Sequence, residues 1–133
     1  MKQTFKFKRD KDLPIIVAKL RSANRTRNAR LIFDTGAACT QFNTAVIDFL
    51  GYSAAQGEKM VSAYGPAGPI QDGYTIRIEE IEVLGKRFAS PLVAAYDYDN
   101  FAEGGIDGLL GYDLIKEFHL EMDGPKGELI IFD

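Results

Sequence analysis

Apolar and polar residues alternate over residues 4–8, the two-residue period of a strand with one face buried. Residues 15–20 form a second apolar run, with Pro14 at its entrance, where a missing N–H is tolerated. Residues 24–28 are polar and turn-forming, and 29–33 return, so the two runs predict a hairpin. The returning arm ends on Leu31, Ile32 and Phe33 without polar relief, as a strand buried on both faces does. A short strand is expected over 39–42. Asn43 and Thr44 then cap a two-turn helix over 45–50 that Gly51 stops. Such a helix needs tertiary packing to persist. Residues 53–57 read as a loop of small residues.

Residues 58–63 and 70–78 predict the arms of a long hairpin whose tip holds Gly65, Pro66, Gly68 and Pro69. Proline withdraws from a sheet ladder, so the tip is expected to project and move. Ile76 and Ile78 keep one phase and Ile81 and Val83 the other, which predicts a bulge or sharp bend at Glu79-Glu80. Residues 84–86 turn the chain, and 88–95 form the next strand, with Pro91 at an edge or bulge position. Residues 96–105 are an acidic, aromatic loop. Its Asp97 and Asp99 lack the glycine and glutamate spacing of a calcium loop. A glycine-bounded apolar segment, 108–111, leads into a helix over 112–118. Residues 119–123, a turn at 124–127 and residues 128–132 close the chain as a hairpin. The pattern is that of an all-β domain with one or two short helices.

Composition narrows the classes. With 133 residues, 46% of them apolar, the chain forms one domain over residues 1–133 with its own core. No run of 18 apolar residues occurs, and the basic start lacks the apolar centre of a signal peptide, so no membrane association and a cytoplasmic location are expected. One cysteine, Cys39, excludes an internal disulfide, and one histidine, His119, leaves no zinc cluster of usual type; no metal and no cofactor are expected. Cys39 reads as a small buried apolar side chain. Residues 1–30 hold ten Lys/Arg against two Asp, and residues 31–133 six against seventeen acidic residues. The basic residues alternate with apolar ones, as in Phe5-Lys6-Phe7-Lys8, which makes them the wet face of strands rather than a nucleic-acid arm.

Asp34 follows Phe33 at the mouth of the core, where a charge is seldom placed without a partner. Thr35 supplies a hydroxyl and Gly36 permits close backbone approach. A lone Asp-Thr-Gly is also an ordinary Asx-type turn, so other segments must decide.

Three segments in order carry a resemblance. Leu31 to Ala37 runs from an apolar strand into Asp-Thr-Gly-Ala. A glycine- and proline-rich hairpin tip spans 61–70. Near the C-terminus, Ile106-Asp107-Gly108-Leu109-Leu110-Gly111 precedes a helix. Together they resemble the single-domain retropepsin-like aspartic proteases over roughly residues 13–132. The resemblance implies a closed-barrel acid-protease fold, a flap formed by the long hairpin, and a second glycine, Gly111, that lets its segment pass close beneath the active-site strand. It implies an aspartic endopeptidase in which two carboxylates share a proton and activate water. The Asp-Thr-Gly signature occurs once. Asp107 lacks the Thr/Ser-Gly that would follow a catalytic Asp and occupies a non-catalytic place in the family. The expectation is therefore a homodimer that pairs Asp34 of each subunit across a twofold axis.

Asp34, Thr35 and Gly36 are then the catalytic residues. Ala37, Ile32, Val61, Tyr64, Gly65, Ile70 and Leu109 are the candidate substrate-binding residues, for an extended peptide added as a strand. Ala37, where other members carry Ser, offers no hydroxyl to the carboxylate, which implies activity at mildly acidic to near-neutral pH. The alternatives are a catalytically silent dimeric peptide-binding or assembly module of the same fold, suggested by the stiffer Pro66 and Pro69 at the tip, and a monomeric small-ligand β-barrel.

Overall fold

In a computed structural model that describes residues 1–8, 13–60, 73–97 and 104–133, with the backbone alone of 64–65 and 68–69, the first strand is β1 (Lys2–Lys6). It lies two residues earlier than its alternation suggests. Its position is set by pairing with β14 (Glu128–Phe132), from Lys2↔Phe132 to Lys6↔Glu128. Phe5 and Phe7 lie half-buried against the core.

The expected hairpin is β2 (Ile15–Arg21) and β3 (Thr26–Phe33), paired from Ile15↔Ile32 to Arg21↔Thr26. Its turn comes earlier than predicted. Ser22 N donates to Arg25 O at 2.9 Å, and Arg25 N to Ser22 Oγ at 3.2 Å. Arg27 and Asn28 are strand residues despite their polarity: Asn28 faces the wet side of β3, while the half-buried Arg27 shares the side of Ala29 and Leu31.

After β4 (Gln41–Asn43), α1 (Thr44–Phe49) forms where the caps predict it, with Asn43 Oδ1 accepting from Ala45 N at 3.2 Å. It ends at Gly51, φ +94°, with Tyr52 N donating to Ile47 O and Gly51 N to Asp48 O, the paired bonds of a Schellman ending. The small-residue loop holds one 3₁₀ turn, Ala54–Gln56, in which Gln56 Oε1 accepts from Ser53 N at 2.8 Å.

The long hairpin pairs β5 (Glu58–Lys59) with β8 (Tyr74–Arg77), and β6 (Tyr64–Gly65) with β7 (Gly68–Pro69). The pairs Lys59↔Tyr74 and Tyr64↔Pro69 belong to one antiparallel register. The bend at Glu79 separates β8 from β9 (Glu80–Val83) and keeps Ile76, Ile78, Ile81 and Val83 all buried. Leu84 and Gly85, both at positive φ, make the two-residue turn to β10 (Lys86–Ala89). The single strand expected over 88–95 is two. Ser90 at φ +54° and Pro91, with no N–H to give, break it before β11 (Leu92–Tyr96). Tyr96, read as loop, is the buried end of β11.

The chain continues through β12 (Gly108–Leu110), α2 (Tyr112–Ile115) and β13 (His119–Asp123). The helix expected to reach 118 stops at one turn. Glu117 N and Phe118 N bond three residues back, to Leu114 O and Ile115 O, and His119 starts β13.

Nine strands form one sheet in the order β10-β9-β2-β3-β12-β4-β11-β8-β5, and β1-β14-β13 form another. Both contribute to one core, with Leu31, Phe42 and Leu110 from the first and Leu129 and Ile131 from the second, and Ile47 enters it from α1. Two placements in the large sheet build the site: β12 runs parallel to β3, Leu110 beside Phe33, and antiparallel to β4, Leu109 beside Gln41.

Candidate active site

At the end of β3 the ladder runs one residue further: Asp34 N donates to Leu110 O at 3.0 Å. The chain then turns back on itself. Gly36 N donates to Asp34 Oδ1 at 2.9 Å and Ala37 N to Asp34 O at 3.2 Å. The carboxylate is thereby aimed by its own turn. It is half-exposed, and among the described residues it enters no ion pair. A Cβ at Gly36 would lie 3.2 Å from Oδ1, so glycine keeps the turn tight. Thr35 is exposed and Ala37 half-buried.

The turn is locked by a segment distant in sequence. Tyr112 N donates to Ala37 O at 2.7 Å. Gly111 lies against the Cys39 and Thr40 backbone, where a Cβ would stand 2.6 Å from Cys39 O, and a Cβ at Gly108 would collide with the Gln41 carbonyl. Thr40, fully buried, ties the segments: its Oγ1 accepts from Gly111 N at 3.1 Å and donates to Asp113 Oδ1 at 2.8 Å. Its N donates to Asp113 Oδ2 at 3.0 Å. Sequence reasoning passed over Thr40 and Asp113. An acidic residue in the first turn of a helix is ordinary, and nothing local marks it as the partner of a threonine 73 residues away.

Side chains alternate along β3 and β12, so Leu31, Phe33 and Leu110 enter the core while Ile32 and Leu109, paired in register, turn to the other face. Both are buried yet lie outside the core cluster, on the face to which Asp34 follows Ile32. The fold thus brings together Asp34, Thr35, Gly36, Ala37, Ile32 and Leu109. Val61 and Ile70 lie outside the described residues. Tyr64 and Gly65 are placed by their backbone in β6.

Asp107 sits at the opposite end of β12. Its Oδ1 meets Arg27 Nη2 at 2.9 Å and its Oδ2 accepts from Arg30 N at 2.8 Å. Arg30 precedes Asp34 by four strand residues, about 13 Å at strand rise. Asp107 therefore fastens β12 to β3 and stands away from Asp34.

Cys39 is half-buried rather than fully buried. Burial, with the Asp113 charge adding, pushes its thiol up against the opposing contact from Gln41 Nε2, which favours the neutral form. Burial, with a contribution from Cys39, pushes the Tyr96 phenol up to about 12.

The family model described as aspartyl protease matches residues 18–114, which include the Asp34 turn and β12. Among solved structures, a retropepsin-like aspartic protease from Rickettsia conorii is similar at 21% identity and TM-score 0.68, over 98% of each chain. The EIAV protease, in complex with the inhibitor HBY-793, is similar at 16% identity and TM-score 0.60, over 81% of this chain and 89% of that one. No curated protein matches.

Proposed function

The chain belongs to the aspartyl protease family and has the retropepsin-like fold, and on that premise we propose that it is an aspartic endopeptidase completed by homodimerisation. One observation carries the proposal: a half-exposed carboxylate, held by Gly36 N–H at 2.9 Å, closes a strand whose neighbouring side chains on that face, Ile32 and Leu109, are apolar. The same Asp34 from a second copy completes a dyad on a twofold axis.

In the dimer one carboxylate is ionised and the other protonated, because two like charges so close do not both ionise. The ionised group takes a proton from a water held between them as the water oxygen attacks the scissile carbonyl. The protonated group gives its proton to the carbonyl oxygen. Collapse of the tetrahedral diol breaks the C–N bond, with a proton delivered to the leaving nitrogen. Gly36 N–H and the Thr40–Asp113 lock keep each carboxylate in place through this exchange. Ile32 and Leu109 are apolar subsite walls for an extended peptide. The hairpin carrying β6 and β7 acts as a flap, with Val61, Tyr64, Gly65 and Ile70 in contact with substrate. A single cysteine held as a thiol suits the reducing cytoplasm.

The test is cleavage of a denatured protein by the wild type and by Asp34→Asn, with sedimentation of both. Cleavage by a dimer, lost in a variant that still dimerises, is the expected result. A dimer that binds peptide without cutting it identifies a silent binding module, and a monomer under all conditions removes the dyad.

A further inference from the structure

A groove of about 720 Å³ opens between the end of β1 and the outer side of β2. Leu13, Ile15 and Val17 supply apolar lining, and Leu13 and Val17 are 44% and 58% exposed. Around them stand three cations, Lys6, Lys8 and Arg30, with Phe7 between the lysines and, among the described residues, no carboxylate in the lining. Among the described residues none of these cations pairs with an acid, whereas Arg21, Arg27 and Arg87 each do. Arg30 Nη1 donates to the neutral Gly105 carbonyl at 3.4 Å, so positive charge gathered on the described lining, on a chain of net charge −3, complements an anion.

The backbone adds a second feature. Pro14 O accepts from Phe33 N, so the even-numbered residues of β2 bond to β3, and Ile15 and Val17 turn their N–H and C=O to the far side. Among the described residues β9 pairs with β2 only at Lys19, Leu20 and Arg21, and so leaves the edge at Ile15 and Val17 open. An open edge beside apolar side chains takes an added strand.

The groove also continues the candidate substrate face, because Ile15 pairs directly with Ile32, which pairs with Leu109. From strand rise and spacing, Ile15 and Arg30 stand about 8 and 13 Å from Asp34, the reach of roughly two to four extended residues.

We propose that this groove is an exosite for an extended acidic segment of the substrate, carboxylates alternating with aliphatic side chains, a few residues from the bond to be cut. The assignment rests on the endopeptidase reading for its use, though not for its binding. The lining, aliphatic apart from Phe7, favours such a peptide over single-stranded nucleic acid, which seeks several stacking aromatics.

Binding is read by fluorescence anisotropy with full-length Asp34→Asn protein and a short labelled peptide alternating Glu and Leu, against Gln/Leu and Lys/Leu counterparts. The Glu/Leu peptide should bind at least about tenfold more tightly than either, weaken with salt, and lose about tenfold in Lys6→Glu/Lys8→Glu and in Arg30→Glu. In the catalytically intact background, a substrate with an acidic segment four residues from its cleaved bond should show a raised KM and unchanged kcat in these variants. Equal binding of the three peptides, indifference to the charge reversals, or tighter binding of an oligothymidylate would overturn the proposal. Peptide binding without cleavage by the wild type removes the endopeptidase reading and leaves the exosite. Cleavage without acidic preference does the reverse.

Discussion

On the proposed reading the Asp34 carboxylate is a reagent, fixed by one residue and left incompletely held by another. Gly36 N–H bonds Asp34 Oδ1, while Ala37 contributes only backbone. A hydroxyl donated to a carboxylate favours its ionised form. Ala37→Ser should therefore shift the pH–activity profile towards acid, read from kcat/KM across pH. Thr40 supports the turn from beneath. Thr40→Val would leave Gly111 N–H without its acceptor and Asp113 without a hydroxyl donor, at a cost of about 1–3 kcal/mol by urea unfolding. Tyr96 sets an alkaline limit. Its phenol titrates near 10 when unfolded and near 12 when folded. The folded state retains the proton longer, so its stabilisation is present below pH about 10 and is lost as pH rises towards 12. Tyr96→Phe should flatten this part of the fall in thermal midpoint between those values. Asp34 was visible in the sequence because its turn is made of adjacent residues. Thr40 was not, because its meaning lies in a partner on another segment.

Among the elements, β12 decides the site. It is three residues long, yet it sits between β3 and β4, accepts the Asp34 N–H at Leu110 and places Leu109 beside Ile32. Its glycine boundaries are where backbones meet. Gly111→Ala should lower unfolding free energy by at least about 1–3 kcal/mol, because a methyl group there must displace main chain rather than a flexible side chain. Gly124, in the β13–β14 turn with nothing near a built Cβ, is the control, and Gly124→Ala should change stability by less than about 0.5 kcal/mol. Local signals identified most elements: the caps gave α1, the phase slip gave the bend at Glu79, and Leu84-Gly85 gave a turn. They misjudged the β2–β3 turn, where strand residues happen to be polar, and the run across Pro91, where alternation persists although the ladder breaks.

For the molecule as a whole, the sequence holds one Asp-Thr-Gly, and activity on the dimer reading must depend on association. Specific activity should fall on dilution through the dimer dissociation range, and an excess of Asp34→Asn protein mixed into the wild type should suppress turnover by forming mixed dimers. Persistent activity per subunit in both experiments would count against a shared site. By itself the sequence determined the all-β character, most strand positions, and the acid-bearing turn, because alternation, glycine and proline chemistry and an Asx-type bond act between near neighbours. Only the tertiary structure decided that β1 pairs with β14, that Asp107 is consumed by Arg27 and the Arg30 N–H, and that Thr40 and Asp113 lock the turn. Those contacts join residues 73 to 130 positions apart, and no local pattern encodes which distant partner a hydrogen-bonding group will meet once one core has closed around both.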